Sequence, residues 1–158
     1  MANTQAMATS FMGELMTATH NFGASPTRAG ATADTFKAAL YLTSATVNAA
    51  TTAYSSTGEV TGTNYTAGGV TVTNATAPLA SNSSATAGVA YWTPSASITY
   101  TTVTLSTAFD AVLIYNSTQS DKAVSVHTFG SQTITAGTFT LTMPSNTTST
   151  GLLRLATT

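Results

Sequence analysis

The side chains able to move a proton, attack a substrate or hold a metal are few. The chain carries five Asp+Glu, two His and four Lys+Arg in 158 residues, with no cysteine. His127 lies two residues from Ser125 and beside Thr128, and Asp110 or Asp121 could approach it in three dimensions. Those are the residue types of a Ser/His/Asp relay. Serine is abundant throughout, however, so the simpler expectation for His127 is a hydrogen-bonded strand residue on a solvent or subunit face. His20 falls at the end of a predicted helix, where a basic ring complements the C-terminal dipole.

The remaining chemistry-bearing patterns are missing from the sequence. The two histidines are far apart and lack metal-ligand spacing. The acids form no Asp-x-Asp-x-Asp-Gly calcium loop, and there is no Gly-x4-Gly-Lys phosphate loop. Without cysteine there are no disulfides, zinc fingers or thiol reactions. The sequence therefore predicts no catalytic, cofactor-binding or metal-binding residues, and not an enzyme.

Composition points the same way. Charged residues make up 6% of the chain, with a net charge of -1, where an ordinary soluble domain carries about 25%. Neutralising phosphates needs clustered Lys and Arg, so no nucleic-acid partner is expected. Threonine, roughly a quarter of the chain, is β-branched and fits a pleated, half-wet surface. Weak charge repulsion favours association, which suggests a protein of an assembly. No stretch is apolar enough for a transmembrane helix, and the start Met1-Ala2-Asn3-Thr4-Gln5 has no export signal, so no membrane partner is expected. Five Asn-x-Ser/Thr sequons, at Asn64, Asn74, Asn82, Asn116 and Asn146, are what chance produces in such a composition.

The elements that must position these residues divide at about residue 30. In residues 1–30, Met7, Phe11, Met12, Leu15 and Met16 recur at helical spacing, with Thr4 or Asn3 as a cap and Gly23 as a stop. This Met/Phe stripe suits either a core or a partner surface. Residues 23–30 read as a linker. Residues 31–158 read as strands. Phe36, Ala38, Leu40 and Leu42 alternate with Lys37, Ala39, Tyr41 and Thr43, and strand is preferred there over helix. Val70 and Val72 follow the Gly68-Gly69 turn signal, which is expected to supply positive φ for a hairpin. A change of parity between Ile98/Tyr100 and Val103/Leu105 predicts a bulge near Thr101-Thr102.

Residues 109–116 are apolar on both faces and read as a central strand. Val124 and Val126, then Phe139, Leu141 and Met143, and finally Leu153 and Leu155 continue the pattern, while residues 77–88 read as a long loop. The expected fold is mainly β, a β-sandwich or jelly-roll-like domain of about eight to ten short strands behind a short N-terminal helix or arm. Glu59, flanked by turn residues, is expected to accept hydrogen bonds from backbone N–H groups of the following loop and so hold residues 58–69 in place. Trp92, beside Thr93-Pro94, reads as an anchor at a strand edge or subunit contact, or with Tyr91 and Tyr100 as part of a sugar-binding face.

Two stretches carry a resemblance. Asp34-Thr35-Phe36-Lys37-Ala38-Ala39-Leu40-Tyr41, Thr57-Gly58-Glu59-Val60 and Gly62-Thr63-Asn64-Tyr65-Thr66-Ala67-Gly68-Gly69-Val70 form the first. Phe109-Asp110-Ala111-Val112-Leu113-Ile114-Tyr115 with Phe129-Gly130 form the second. Together they resemble small tailed-bacteriophage virion proteins. The resemblance implies a non-enzymatic virion component with a β-rich fold, made in the bacterial host cytoplasm.

The β pattern and this context lead to an expected role as a capsid decoration (cement) protein on the outer capsid surface of the virion. Its expected partners are the major capsid protein and other copies of itself, as a dimer or trimer. Met7, Phe11, Met12, Leu15, Met16 and Trp92 are the candidate partner-binding residues. The alternative is a tail, neck or fibre-associated virion protein that binds host surface glycans.

Overall fold

The computed structural model describes residues 2–23, 32–74, 77–81 and 88–156. Its elements run β1 (Ala6–Met7), α1 (Thr9–Met16), β2 (Phe36–Leu42), β3 (Val70–Thr71), β4 (Leu79–Ser81), β5 (Val89–Trp92), β6 (Ile98–Asn116), β7 (Lys122–Leu141) and β8 (Leu153–Ala156). Five strands form one sheet in the order β1-β7-β6-β2-β3, and three form a second in the order β4-β5-β8. Every pairing is antiparallel. The fold is mainly β with two sheets in a sandwich-like arrangement, as the sequence predicts.

The strands are not uniformly short. β6 and β7 carry 19 and 20 residues and form one long hairpin about the turn at residues 117–121. The Ser, Thr and Gly clusters at residues 101–107 and 130–137 do not break these strands but are absorbed as bulges, where the register between β6 and β7 shifts repeatedly. One shift falls between Tyr100 and Val103, where Thr102 has φ +52, at the predicted position. Residues 109–116 form the central part of this sheet, buried on both faces between β2 and β7. β2 is likewise buried almost throughout, because β6 and β3 flank it; its alternation is submerged in a near-continuous apolar run.

Gly68 and Gly69 have φ of +87 and +70, the expected left-handed conformation. They do not close a two-residue hairpin, because β2, the strand before β3 and its partner, ends at Leu42, and residues 43–69 lie between the two. The need is for close approach: a Cβ on Gly69 would collide with the Ala38 carbonyl of β2.

The N-terminal segment is stitched into the body. Asn3 donates to the Leu42 carbonyl at 3.0 Å and to Asp110 at 2.6 Å, and Thr4 N–H reaches the Val47 carbonyl. These bonds hold the chain extended, so Asn3 and Thr4 do not cap the helix. β1 pairs with Ser125 and Val126 of β7, and α1 begins after Ala8 with no side-chain cap. The helix stops at Met16, well before Gly23, with Thr17 as C-cap and Ala18 at φ +54. Residues 2–23 therefore pack on the domain, and the boundary at residue 30 and the linker beyond Gly23 lie outside the described residues.

Residues 79–81 of the expected long loop form β4 against β5, and residues 82–87 lie outside the described residues. The sequon residue Asn116 is completely buried, so it is closed to glycosylation in the folded protein. Among the described residues no helix is long and apolar enough to cross a membrane.

Candidate functional site

The helical stripe and the small sheet meet at an apolar groove of about 80 Å³. Met7, Phe11 and Leu15 come from the N-terminal segment, and Tyr91, Trp92, Leu153 and Leu155 from β5 and β8; Phe22, Pro78 and Ala90 complete it. Alternation in β8 puts Leu153 and Leu155 on one side, with Arg154 turned away to the Thr148 carbonyl. Leu155, 40% exposed, extends the patch on the rim, whereas Leu79 in neighbouring β4, 46% exposed, pairs with Tyr91 and lies on the side of the small sheet to which Arg154 turns.

The six candidate partner-binding residues divide. Met7 and Leu15 line the groove half-buried, Met12 and Met16 stand exposed on the helix, and Phe11 and Trp92 are buried. The last two are a correction to their reading as surface contacts. Phe22 packs edge-on against Phe11 at 5.8 Å and Trp92 at 4.8 Å, and stacks on Phe36 of β2 at 4.3 Å. The indole N–H is occupied by Asn74 at 3.0 Å. Phe11 and Trp92 thus form the layer joining the two sheets and serve only as the groove floor. Burial of Trp92 and Tyr100 also removes them as a sugar-stacking face.

A polar clamp fixes this region to the large sheet. Asn116 directs one amide hydrogen to Asp34 at 2.7 Å and the other to Nδ1 of His20 at 3.0 Å. Its carbonyl accepts from the N–H groups of Thr118 and Gln119, which fixes the orientation of the amide. Nδ1 of His20 is therefore an acceptor, and Nε2 donates to Glu14 at 2.7 Å. Lys122 takes the other Glu14 oxygen at 2.6 Å. Burial pushes the Glu14 carboxyl up, but the Lys122 and His20 hydrogen bonds and the Lys122 charge outweigh it and hold it below its usual range. His20 lies four residues past the helix and stands over the ring of Phe11, so it does not serve the helix dipole.

Across the sheet, Glu59 meets its expectation and exceeds it. Its Oε1 accepts from Gly68 N–H at 2.8 Å and the Tyr65 hydroxyl at 2.7 Å, and its Oε2 from the Tyr54 hydroxyl at 2.6 Å. Tyr65 in turn accepts from Leu40 N–H, and Tyr115 donates to the Gly68 carbonyl at 2.8 Å. Tyr54 and Tyr115 stack at 4.8 Å. Burial, reinforced by the Glu59 charge, raises Tyr41 and Tyr115 to about 12, and Tyr54, Tyr65 and Tyr100 further.

Ser125 and His127 do meet, with Oγ 2.9 Å from Nε2. Ser125 is 1% exposed, leaving a substrate no approach to its hydroxyl. Burial pushes the His127 imidazole down to about 4, far from the range of an effective general base near neutrality. Asp110 accepts from Asn3, and Asp121 sits in the hairpin turn with φ +57. Among the described residues no group of three His, Asp or Glu is placed to hold a metal ion.

No family model, curated protein or solved structure matches this chain.

Sequence reasoning missed Phe22, Pro78 and the β8 leucines as members of the groove, and His20, Glu14 and Asn116 as a clamp. The Leu153-x-Leu155 alternation marks a strand face but not its neighbour. In a chain with so few charges, each buried one demands a partner, and that rarity was the available signal for the clamp.

Proposed function

We propose that this protein is a non-enzymatic decoration protein of a bacteriophage capsid, docking on the outer surface of the major capsid protein lattice and stabilising the head. The observation that carries the reading is the apolar groove between α1 and the small sheet, with Leu155 exposed on its rim. The resemblance of residues 34–70 and 109–115 to small phage virion proteins supplies the virion context, and the β-rich fold taken with it leads to the lattice as partner.

Apolar docking suits a chain of this composition. With 6% charged residues, binding draws on buried apolar area and is little affected by salt. A protein that binds only the assembled lattice stabilises it by mass action at every site. The groove is rigid on its inner side, where the aromatic layer and the Asn116 clamp hold it, so little ordering opposes docking.

The test is the copy number of the protein relative to the major capsid protein, by quantitative mass spectrometry of whole virions and tail-free heads. A count in the hundreds retained in tail-free heads is expected for a shell decoration. A few dozen copies or fewer, lost with the tail, would replace this reading with the tail or fibre alternative. Leu155→Asp is expected to lower head occupancy about tenfold, with an unchanged melting curve.

A further inference from the structure

We infer that the outer edge of β7, over residues 128–141, is a self-association surface at which two copies of this chain pair as antiparallel strands across a twofold axis. The inference does not depend on the capsid reading, because it concerns the isolated chain.

The edge is open by topology. In the large sheet β7 has β6 on one side and β1 on the other, and β1 covers only Ser125 and Val126. Beyond them no described strand lies along β7, while pairing with β6 continues to Leu141 opposite Ile98. The side chains here are mostly exposed, Ser131, Gln132, Thr133, Thr135, Thr138 and Thr140 among them. A Cβ added at Gly130 would meet nothing. An edge of this kind presents a row of backbone N–H and C=O groups, and the ligand that matches such a row is another extended strand.

The usual guards against such pairing are scarce. Residues 128–141 contain no Lys, no Pro and no ionisable side chain. Bulges are present, with register shifts and Ala136 at φ +46, but they do not end the strand. Pairing resumes at Gly137, and residues Phe139–Leu141 run in unbroken register with Ile98–Tyr100. That regular outer stretch is where a partner strand has a straight template.

The chemistry selects a second copy as the occupant. Antiparallel pairing about a twofold sets residue i of one strand against j of the other and j against i, bringing like charges on the strand near one another; here there is none. Threonine hydroxyls both donate and accept, so facing threonines satisfy one another. The net charge of -1 per chain adds little repulsion.

The test uses the full chain in analytical ultracentrifugation, with amide hydrogen exchange at matched concentrations. A reversible dimer is expected, with exchange protection in residues 128–141 rising with concentration. Thr135→Lys with Thr138→Lys is expected to weaken the dimer at least about tenfold, and so is the corresponding Glu pair. Mixing the Lys and Glu variants is expected to restore association, which misfolding of either variant would not produce. A chain monomeric at every concentration, a dimer indifferent to these variants, or concentration-dependent protection confined to the α1 groove would overturn the inference.

Discussion

Tyr115 and Asn116 are neighbours in β6, yet they turn to opposite sides of the sheet and join clamps of different chemistry. On the Tyr115 side, Glu59 is held by two hydroxyls and a backbone N–H, all neutral donors. On the Asn116 side, Glu14 is held by a lysine ammonium and an imidazole. Both arrangements bring a loop or helix down on the same sheet. The neutral one lies deeper, with Glu59 at 6% exposure and every hydrogen bond to its carboxylate given by an uncharged donor. The ionic one is nearer solvent, since the Lys122 side chain is 38% exposed. Depth and donor type together decide how each responds to mutation, pH and salt.

Removing the carboxylates tests this difference most directly. Glu59→Ala strands two half-buried hydroxyls and a buried N–H, and is expected to cost on the order of 3 kcal/mol in urea unfolding, about equally in low and high salt. A loss no larger than that of Glu14→Gln would break the comparison.

An effect no larger is expected from alkali. Tyr41 and Tyr115 keep their protons to about pH 12 in the folded state, against an ordinary value of 10.0. The stability they contribute is intact below pH 10 and is lost as the pH rises through 12, at roughly 3 kcal/mol for a buried tyrosine shifted this far. Spectrophotometric titration should therefore show these tyrosines ionising together with loss of tertiary signal. Independent ionisation at the ordinary value in a folded chain would remove the neutral clamp from the account.

The smallest effect belongs to the ionic clamp. Glu14→Gln is expected to cost about 1 kcal/mol, discounted for partial exposure, and less in high salt. Because the folded pKa of Glu14 lies below its usual value of 4.5, its contribution is present above that pH and lost as the pH falls through the lowered value. Thermal melts of the wild type and Glu14→Gln should accordingly converge in acid.

The sheet core was legible because burial writes itself locally. The apolar runs of β2 and residues 109–116, and the parity change at Thr101-Thr102, need only neighbouring residues to be read. The Glu59 anchor was legible for the same reason, since Tyr54, Tyr65 and Gly68 lie within nine residues of it. The clamp on the other face was not. Asn116 and His20 are 96 residues apart, and Lys122 and Glu14 are 108 apart, so their meeting depends on how β1 and α1 return to β7. The groove was half legible: the stripe was visible, but only the docked small sheet decides that Phe11 is floor and Met16 is surface. The length of β6 and β7 was hidden because Ser, Thr and Gly mark turns and bulges alike.

The long β6–β7 hairpin also sets an order of events for the chain as it collapses. Its two strands are joined by a five-residue turn at residues 117–121, with Ser120 and Asp121 in left-handed conformations. Closing so short a loop is fast, and pairing can then propagate outward like a zipper. β2 must wait for that ribbon, since it pairs with β6 across an intervening span from Leu42 to Phe109. β1 must wait too, because Ala6 pairs with Val126 and so finds its template only after β7 exists. Residues 6–7 are therefore among the last to dock, and the helix that follows them, one wall of the groove, arrives after the sheet it closes upon.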